Sequence, residues 1–310
     1  MSTHSSRERL GLLLGFIGMA IFGGTLPATR LAVSEIDPLA LTALRTAIAG
    51  LCSLALLLVL RRPLPPRALW PQLVVAMLCV AVIFPLLMSM GMQRVDASHG
   101  GVVLGGLPIA TALAAVAITH ERPRPLFWIA SFAGAALVIA FSLRQGGGTF
   151  STGDLLLFAA VAISAIGYTF SARLASHMPG WEVISWILVI GLPLAIPAAI
   201  LTMPHNVGQI GLKPWLGLLY VALFSQWIGF FAWNAGLAMG GIARVSQVQL
   251  LQPFVTFAIA ATFNGETITW QILLFAAAVV VTVAISTRTR AKPSPIAAKQ
   301  DREPPQLAAS

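Results

Sequence analysis

Nine polar side chains interrupt otherwise apolar stretches of this chain: Thr25, Arg45, Ser164, Tyr168, Gln226, Asn234, Gln249, Gln252 and Thr256. Their types suit hydrogen bonding to a solute rather than the making of bonds. Gln249, Gln252 and Thr256 fall at spacings of three and four, so a helix places them on one face. Pro253 lies among them, and a proline donates no backbone hydrogen bond, so the carbonyl of Gln249, four residues back, loses its partner. In hydrocarbon an open polar group costs several kcal/mol, so that turn must face protein or a wet cavity. Three polar groups beside it read as a cavity lining, with hydrogen bonding between helices as the alternative. Gln226, Trp227, Trp233 and Asn234 add amides and aromatic rings, although Trp233 also suits an interfacial anchor. Ser164 and Tyr168, four apart, share a face, with Tyr168 near the end of its run, where it too suits an anchor. Thr25 is the main polar group of the first apolar run. Arg45 stands about seven residues into the second. It reads as a structural or snorkelling residue, or as an anchor for a substrate anion, with Glu35 and Asp37 its nearest acids along the chain.

The same inventory excludes most enzymes. No Asp or Glu falls at the middle of an apolar run; Glu121, Asp154, Glu182 and Glu266 all stand at ends. Glu121 and Glu266 each close one apolar run and precede the next, so they read as neutralising the start of the helix that follows. His99, at the mouth of its run, reads as a surface residue that could sense pH. Without a central carboxylate, facilitated export or exchange fits at least as well as a proton-driven pump. There is no GxxxxGK[ST] and no HExxH, and Cys and His show no metal-ligand spacing, so neither a cofactor nor a metal is expected. The glycines at 146–148 form a loop tip. Asp154, Glu182 and His177 are the scattered candidates for acid–base chemistry, too few to favour a membrane enzyme over a carrier. An accessory subunit is the other remote alternative.

What positions these residues is a membrane. Of 310 residues, 57% are hydrophobic and 9% charged, against roughly 25% charged in soluble domains. Ten apolar runs are each long enough to cross the hydrocarbon core: about 10–29, 38–60, 71–92, 98–118, 126–143, 154–173, 181–202, 215–238, 242–263 and 268–287. The first follows Arg7 and Arg9 but exceeds a signal peptide's apolar core and begins a repeat, so it counts as a span. With the N-terminus inside, fourteen Lys and Arg fall on the cytoplasmic side and four outside, with Arg45 within a span. That bias sets both termini in the cytoplasm. It also accounts for the net charge of +9 without nucleic acid. Cys52 and Cys79 lie in apolar runs and imply no disulfide framework. Residues 1–9 form a short tail. Residues 288–310 are polar and Pro-rich, and are expected to be disordered with a basic start held near anionic lipid.

The chain repeats itself. At a shift of 145, Gly91, Val103, Pro108, Thr111, Ala115 and Glu121 fall on Gly236, Val248, Pro253, Thr256, Ala260 and Glu266. At a shift of 143, Leu12, Gly24 and Arg30 fall on Leu155, Gly167 and Arg173. Residues 10–143 and 154–287 thus form two halves of five spans. Five is odd, so the second half enters the membrane upside down. Proline-broken helices at matching places in inverted halves, Pro108 and Pro253, point to a site between them. The GxxxG of Gly101 and Gly105 and the glycines of the first span read as close packing of helices.

Pro108 with Glu121, Pro253 with Glu266, Arg45 early in the second span, and Trp233-Asn234-Ala-Gly at the end of the eighth carry a resemblance. Over about 11–287 the chain resembles the EamA-type ten-span permeases of the drug/metabolite transporter superfamily. It departs at His120-Glu121-Arg122, where small residues usually approach the first Glu. The resemblance implies an all-α integral membrane protein of the cell inner membrane that exports or exchanges small metabolites such as amino acids. A lipid-carrier flippase or nucleotide-sugar-like exchanger is the variant, with central cations too scarce for a highly anionic substrate. Expected partners are a small-molecule substrate and the bilayer; a homodimer stays open.

Overall fold

The computed structural model describes residues 2–119, 125–145, 148–205, 207–240, 248 and 251–289. Among them the chain is helical throughout, with no strand. Six helical stretches are long and apolar enough to cross a membrane: Arg9–Ala32, Pro38–Val59, Arg67–Met92, Thr152–Leu174, Gly180–Leu201 and Leu212–Gly236. Trp128–Arg144 and Trp270–Ile285 are shorter apolar helices. The fourth expected span is divided in two, and much of the ninth, with Gln249, lies outside the described residues, as do Glu121 and the 290–310 tail.

The first stretch is built of α1 (Ser2–Gly23) and α2 (Thr25–Ala32), separated at Gly24. The second is α3 (Pro38–Val59). Its proline starts the helix, and Asp37 caps it by accepting from the backbone N–H of Leu39 at 2.8 Å and Ala40 at 3.4 Å, which satisfies donors that the helix itself cannot. The third runs through α4 (Trp70–Ala76), a π-helical segment at Met77–Ile83 and α5 (Phe84–Met92). Then come α6 (Ala97–Leu104), α7 (Leu107–Thr119), α8 (Pro125–Gln145), α9 (Thr152–Leu174) and α10 (Gly180–Leu201). The last long stretch joins α11 (Leu212–Leu219), a second π segment at Tyr220–Ile228 and α12 (Gly229–Gly240). The chain ends in α13 (Gln252–Ile259), a third π segment at Ala260–Asn264 and α14 (Trp270–Thr289).

Neither proline stands in the middle of a described helix. Pro108 and Pro253 each stand second in a helix, α7 and α13. There the missing N–H is one that no helix would have used. In the first case the interruption comes earlier, at Gly105 and Gly106.

Packing pairs α1 with α12, α3 with α10, α8 with α14, α4 and α5 with α9, and α6 with α13. Lipid offers apolar surface everywhere, so close backbone contact rather than water exclusion must hold such pairs. A Cβ on Gly18 would lie 2.8 Å from the backbone nitrogen of Trp233, and one on Gly236 would lie 2.5 Å from that of Gly15. Bare glycine is what lets α1 and α12 touch. Gly101 lets α6 approach Thr256 and Phe257 of α13 in the same way.

Candidate functional site

The second π segment carries Ser225 and Gln226, both buried. A π turn accommodates one more residue than an α turn and recurs at functional sites. Gln226 reaches α3 with both ends of its amide. Its Oε1 accepts from Arg45 Nε at 2.5 Å, and its Nε2 donates to Thr46 Oγ1 at 3.3 Å. Thr46 in turn donates to the carbonyl of Ala81 at 2.8 Å, inside the first π segment. Arg45 Nη2 donates to the Val221 carbonyl at 3.3 Å. Beside this chain Thr25 Oγ1 and Ser225 Oγ share a hydrogen bond of 2.7 Å, which ties in α2. Half-buried Tyr168 of α9 lies within electrostatic reach of Arg45. Three of the nine polar residues singled out by sequence, Thr25, Arg45 and Gln226, thus gather in one hydrogen-bonded cluster, with Tyr168 near it.

Of the readings open to Arg45, snorkelling is the one the structure sets aside. Arg45 also meets neither of the acids nearest in sequence. It is 3% exposed. Asp37 is spent on its cap, and Glu35 accepts from the backbone N–H of Gly211 at 2.7 Å. Nη1 of Arg45 and Nε1 of Trp227 are buried with no hydrogen-bond partner among the described residues. Burying a cation without a counter-charge is costly, and the site pays with an amide oxygen and a carbonyl only.

Four other candidates serve elsewhere. Thr256, expected to line a cavity, donates to the carbonyl of Gly23 at 2.8 Å and so closes the break between α1 and α2. Tyr220 does likewise for the Ile21 carbonyl, at 2.8 Å. Ser164 is fully buried and donates to Val161 within its own helix. Asn234 presses on Gly180 at the start of α10, 2.6 Å from where a Cβ would stand. Gln252 is half-buried at the start of α13. Trp233, read either as part of the site or as an interfacial anchor, has its backbone against Gly18 and its ring edge-on to Phe22. Sequence reasoning missed Thr46 and Ser225. The signal was adjacency, since each directly neighbours a singled-out residue.

Charged contacts gather at one end of the bundle. Arg30 Nη2 meets Asp96 Oδ1 at 2.5 Å, and its Nε lies 3.5 Å from Glu266 Oε1. Arg30 also donates to the carbonyls of Met92, at 3.0 Å, and Val95. Glu266 does not cap the helix after it. Its two oxygens accept from the backbone N–H of Ala97 and Ser98, each at 2.8 Å, capping α6 from 169 and 168 residues away. His99, expected at the surface, is inside: Nε2 lies 2.7 Å from Asp154 Oδ1, and its ring packs on Phe141. Asp154 also completes a capping box with Ser151 at the start of α9. At the opposite end Arg62 pairs with Glu182 at 3.8 Å and lies over Trp181. The acid–base candidates therefore have separate partners: Asp154 holds His99, Glu182 faces Arg62, and His177 bonds the Arg173 carbonyl and Ser176. An open cavity of about 610 Å³ beside Arg30 is lined also by Met92, Gln93 and Arg94. Another, of about 380 Å³ between α6, α7, α8 and α9, is almost wholly apolar and includes none of the cluster residues.

A family model described as the EamA-like transporter family matches this chain twice, over residues 9–143 and 151–288. The uncharacterized transporter YdeK of Bacillus subtilis is 45% identical over 278 residues, which is 90% of this chain and 97% of YdeK. The uncharacterized transporter YyaM of the same organism is 23% identical, over 86% of this chain and 90% of its own. The chloroplastic WAT1-related protein At3g02690 of Arabidopsis thaliana is 23% identical, over 84% of this chain and 66% of its own. A solved crystal structure superposes with a TM-score of 0.61 at 21% identity, covering 90% of this chain and 96% of that one, and so shares its fold. A model that takes in both halves and a relative matched along nearly its whole length make this chain a member of the EamA-like transporter family, a multi-pass membrane transporter and not an enzyme.

Proposed function

We propose that this chain exports a small polar or amphipathic metabolite, of the amino-acid kind, across the inner membrane by alternating access. Two inverted halves of five spans, with both chain ends in the cytoplasm, rock about the Arg45–Gln226 cluster. The observation that carries the reading is the buried hydrogen-bonded chain from Arg45 through Gln226 and Thr46 to Ala81, because it crosses from one half to the other at depth. Several features support inversion. Exchanging spans one to five for six to ten turns each helix pairing above into itself or into another pairing. The π segments Met77–Ile83 and Tyr220–Ile228 start 143 residues apart and end 145 apart, the same shifts as the sequence repeat. The family model also fits twice.

In this topology the Arg30–Asp96–Glu266 and His99–Asp154 contacts close the periplasmic side. The repeat makes Arg173 and Glu121 the counterparts of Arg30 and Glu266, so the same charge pair is available for the cytoplasmic side. The test is metabolite profiling of cells that overexpress the wild-type chain, Gln226→Leu or empty vector. A solute that accumulates outside only with the wild type is the expected result. Identical profiles from all three would overturn the reading.

A further inference from the structure

Among the described residues, no acid side chain meets Arg45. The six Asp and Glu residues whose side chains are described are all engaged away from it: Glu35 with Gly211, Asp37 with its own helix, Asp96 and Glu266 with Arg30, Asp154 with His99, and Glu182 with Arg62. Yet the guanidinium is 3% exposed and lies within a span. A guanidinium offers five N–H donors. The structure uses two, Nε–H and one on Nη2, and leaves both on Nη1 and the second on Nη2. Nη1 is thus wholly open, and the planar head it belongs to is the group that can grip both oxygens of one carboxylate.

Resting on the transport reading above, we infer that the solute is one whose only charge is a carboxylate, such as an amino acid with its amine blocked, and that Arg45 is its anchor. One cation matched by one anion gives a pair without net charge, which is the form least costly to hold within hydrocarbon. A dianionic phosphate would leave an excess charge with no second cation in the cluster. Gln226 then acts as a positioning residue. It holds the guanidinium by Nε and leaves Nη1 open, and Thr46 fixes the amide that does so. Because Arg45 is sealed from solvent in this conformation, the solute reaches it only when one end of the bundle parts.

The experiment uses full-length protein in detergent with matched probes: benzoate and benzamide, hexanoate and hexanamide, N-acetylleucine and N-acetylleucinamide, with sodium chloride and sodium phosphate as inorganic arms. Melting temperature and tryptophan fluorescence report binding to wild type, Arg45→Gln and Arg45→Lys. Chromatographic elution controls for folding. At least one carboxylate should raise the wild-type melting temperature by several degrees while its amide does nothing. Arg45→Gln should abolish that shift, and Arg45→Lys, which keeps the charge but not the planar head, should weaken binding at least tenfold. Amides that act like their acids, acids that act equally on Arg45→Gln, or no response to any probe would overturn the inference. So would chloride or phosphate giving the Arg45-dependent shift and blocking the carboxylates, which would mark an inorganic anion site. Metabolite export separates this failure from the larger one. If Arg45→Gln exports as well as wild type, the anchor falls and transport stands; if neither chain exports anything, transport falls.

Discussion

Replacing Glu266 by Gln tests what closes the Arg30 end. The ion pair to Arg30 is the obvious answer and the weaker one. It spans 3.5 Å, and the Arg30 side chain is 32% exposed, so it contributes no more than about 1 kcal/mol. The two backbone hydrogen bonds at 2.8 Å to the start of α6 are different. The Glu266 side chain is only 6% exposed, and bonds to an ionised acceptor contribute about 1.5–3 kcal/mol each. Asp96, the residue at the cap position of α6, gives no capping bond, and its carboxylate faces Arg30 instead. An amide in place of the carboxylate keeps one acceptor and points a donor at the other N–H. The expected cost is about 2–4 kcal/mol, through one lost bond and one unpaired N–H. If that cost falls on the closed end alone, the open population rises by roughly 100-fold, at about 1.4 kcal/mol per decade. The assay is maleimide labelling of Leu26→Cys, a position 4% exposed beneath this end, with Cys52 and Cys79 replaced. Glu266→Gln should speed labelling far more than Arg30→Gln does. Equal rates for the two variants, or a Glu266→Gln rate within about twofold of the parent, would refute the reasoning.

Gln226→Leu strips Arg45 of its Nε partner and should destabilise the protein by about 3–5 kcal/mol, seen as a lower melting temperature. Gln226→Glu should melt no lower than wild type, since it supplies the missing charge, but should export poorly because the anchor is then occupied. Gly236→Val drives a side chain into the backbone of Gly15, with a Cβ only 2.5 Å from its nitrogen. Separating α1 from α12 should abolish the monodisperse peak in fluorescence-detected chromatography, whereas Gly208→Val, where a Cβ would meet nothing within 4 Å, should leave it unchanged. Cysteines at Ser5 and Ser294 should both react with impermeant reagent only in inside-out vesicles; labelling of either from the outside would reverse the topology.

The class of protein was legible because apolar content and run length respond directly to the bilayer. Six full spans and two shorter apolar helices stand where apolar runs were read. That a proline's missing N–H must be accommodated was legible too, since it is a property of the residue. How the fold accommodates it was not: the glycine pair before Pro108 takes the interruption, and the prolines start helices. Arg45 and Gln226 were named from sequence because each is a polar group in an apolar run, and that is expensive anywhere in a membrane. Thr256 was named on the same ground and turned out to mend a break in α1, because helical spacing fixes a face and not what the face meets.

What the sequence by itself determined is local: which segments suit lipid, which residues break them, and which polar groups need an explanation. What only the tertiary structure decided is pairing across distance. Glu266 caps a helix 169 residues away, His99 is buried against Asp154, and Arg45 meets an amide 181 residues on rather than an acid ten residues back. A carboxylate is attracted to any nearby donor, so its charge names a need and not a partner. The partner is chosen by whichever helices the glycines allow to touch.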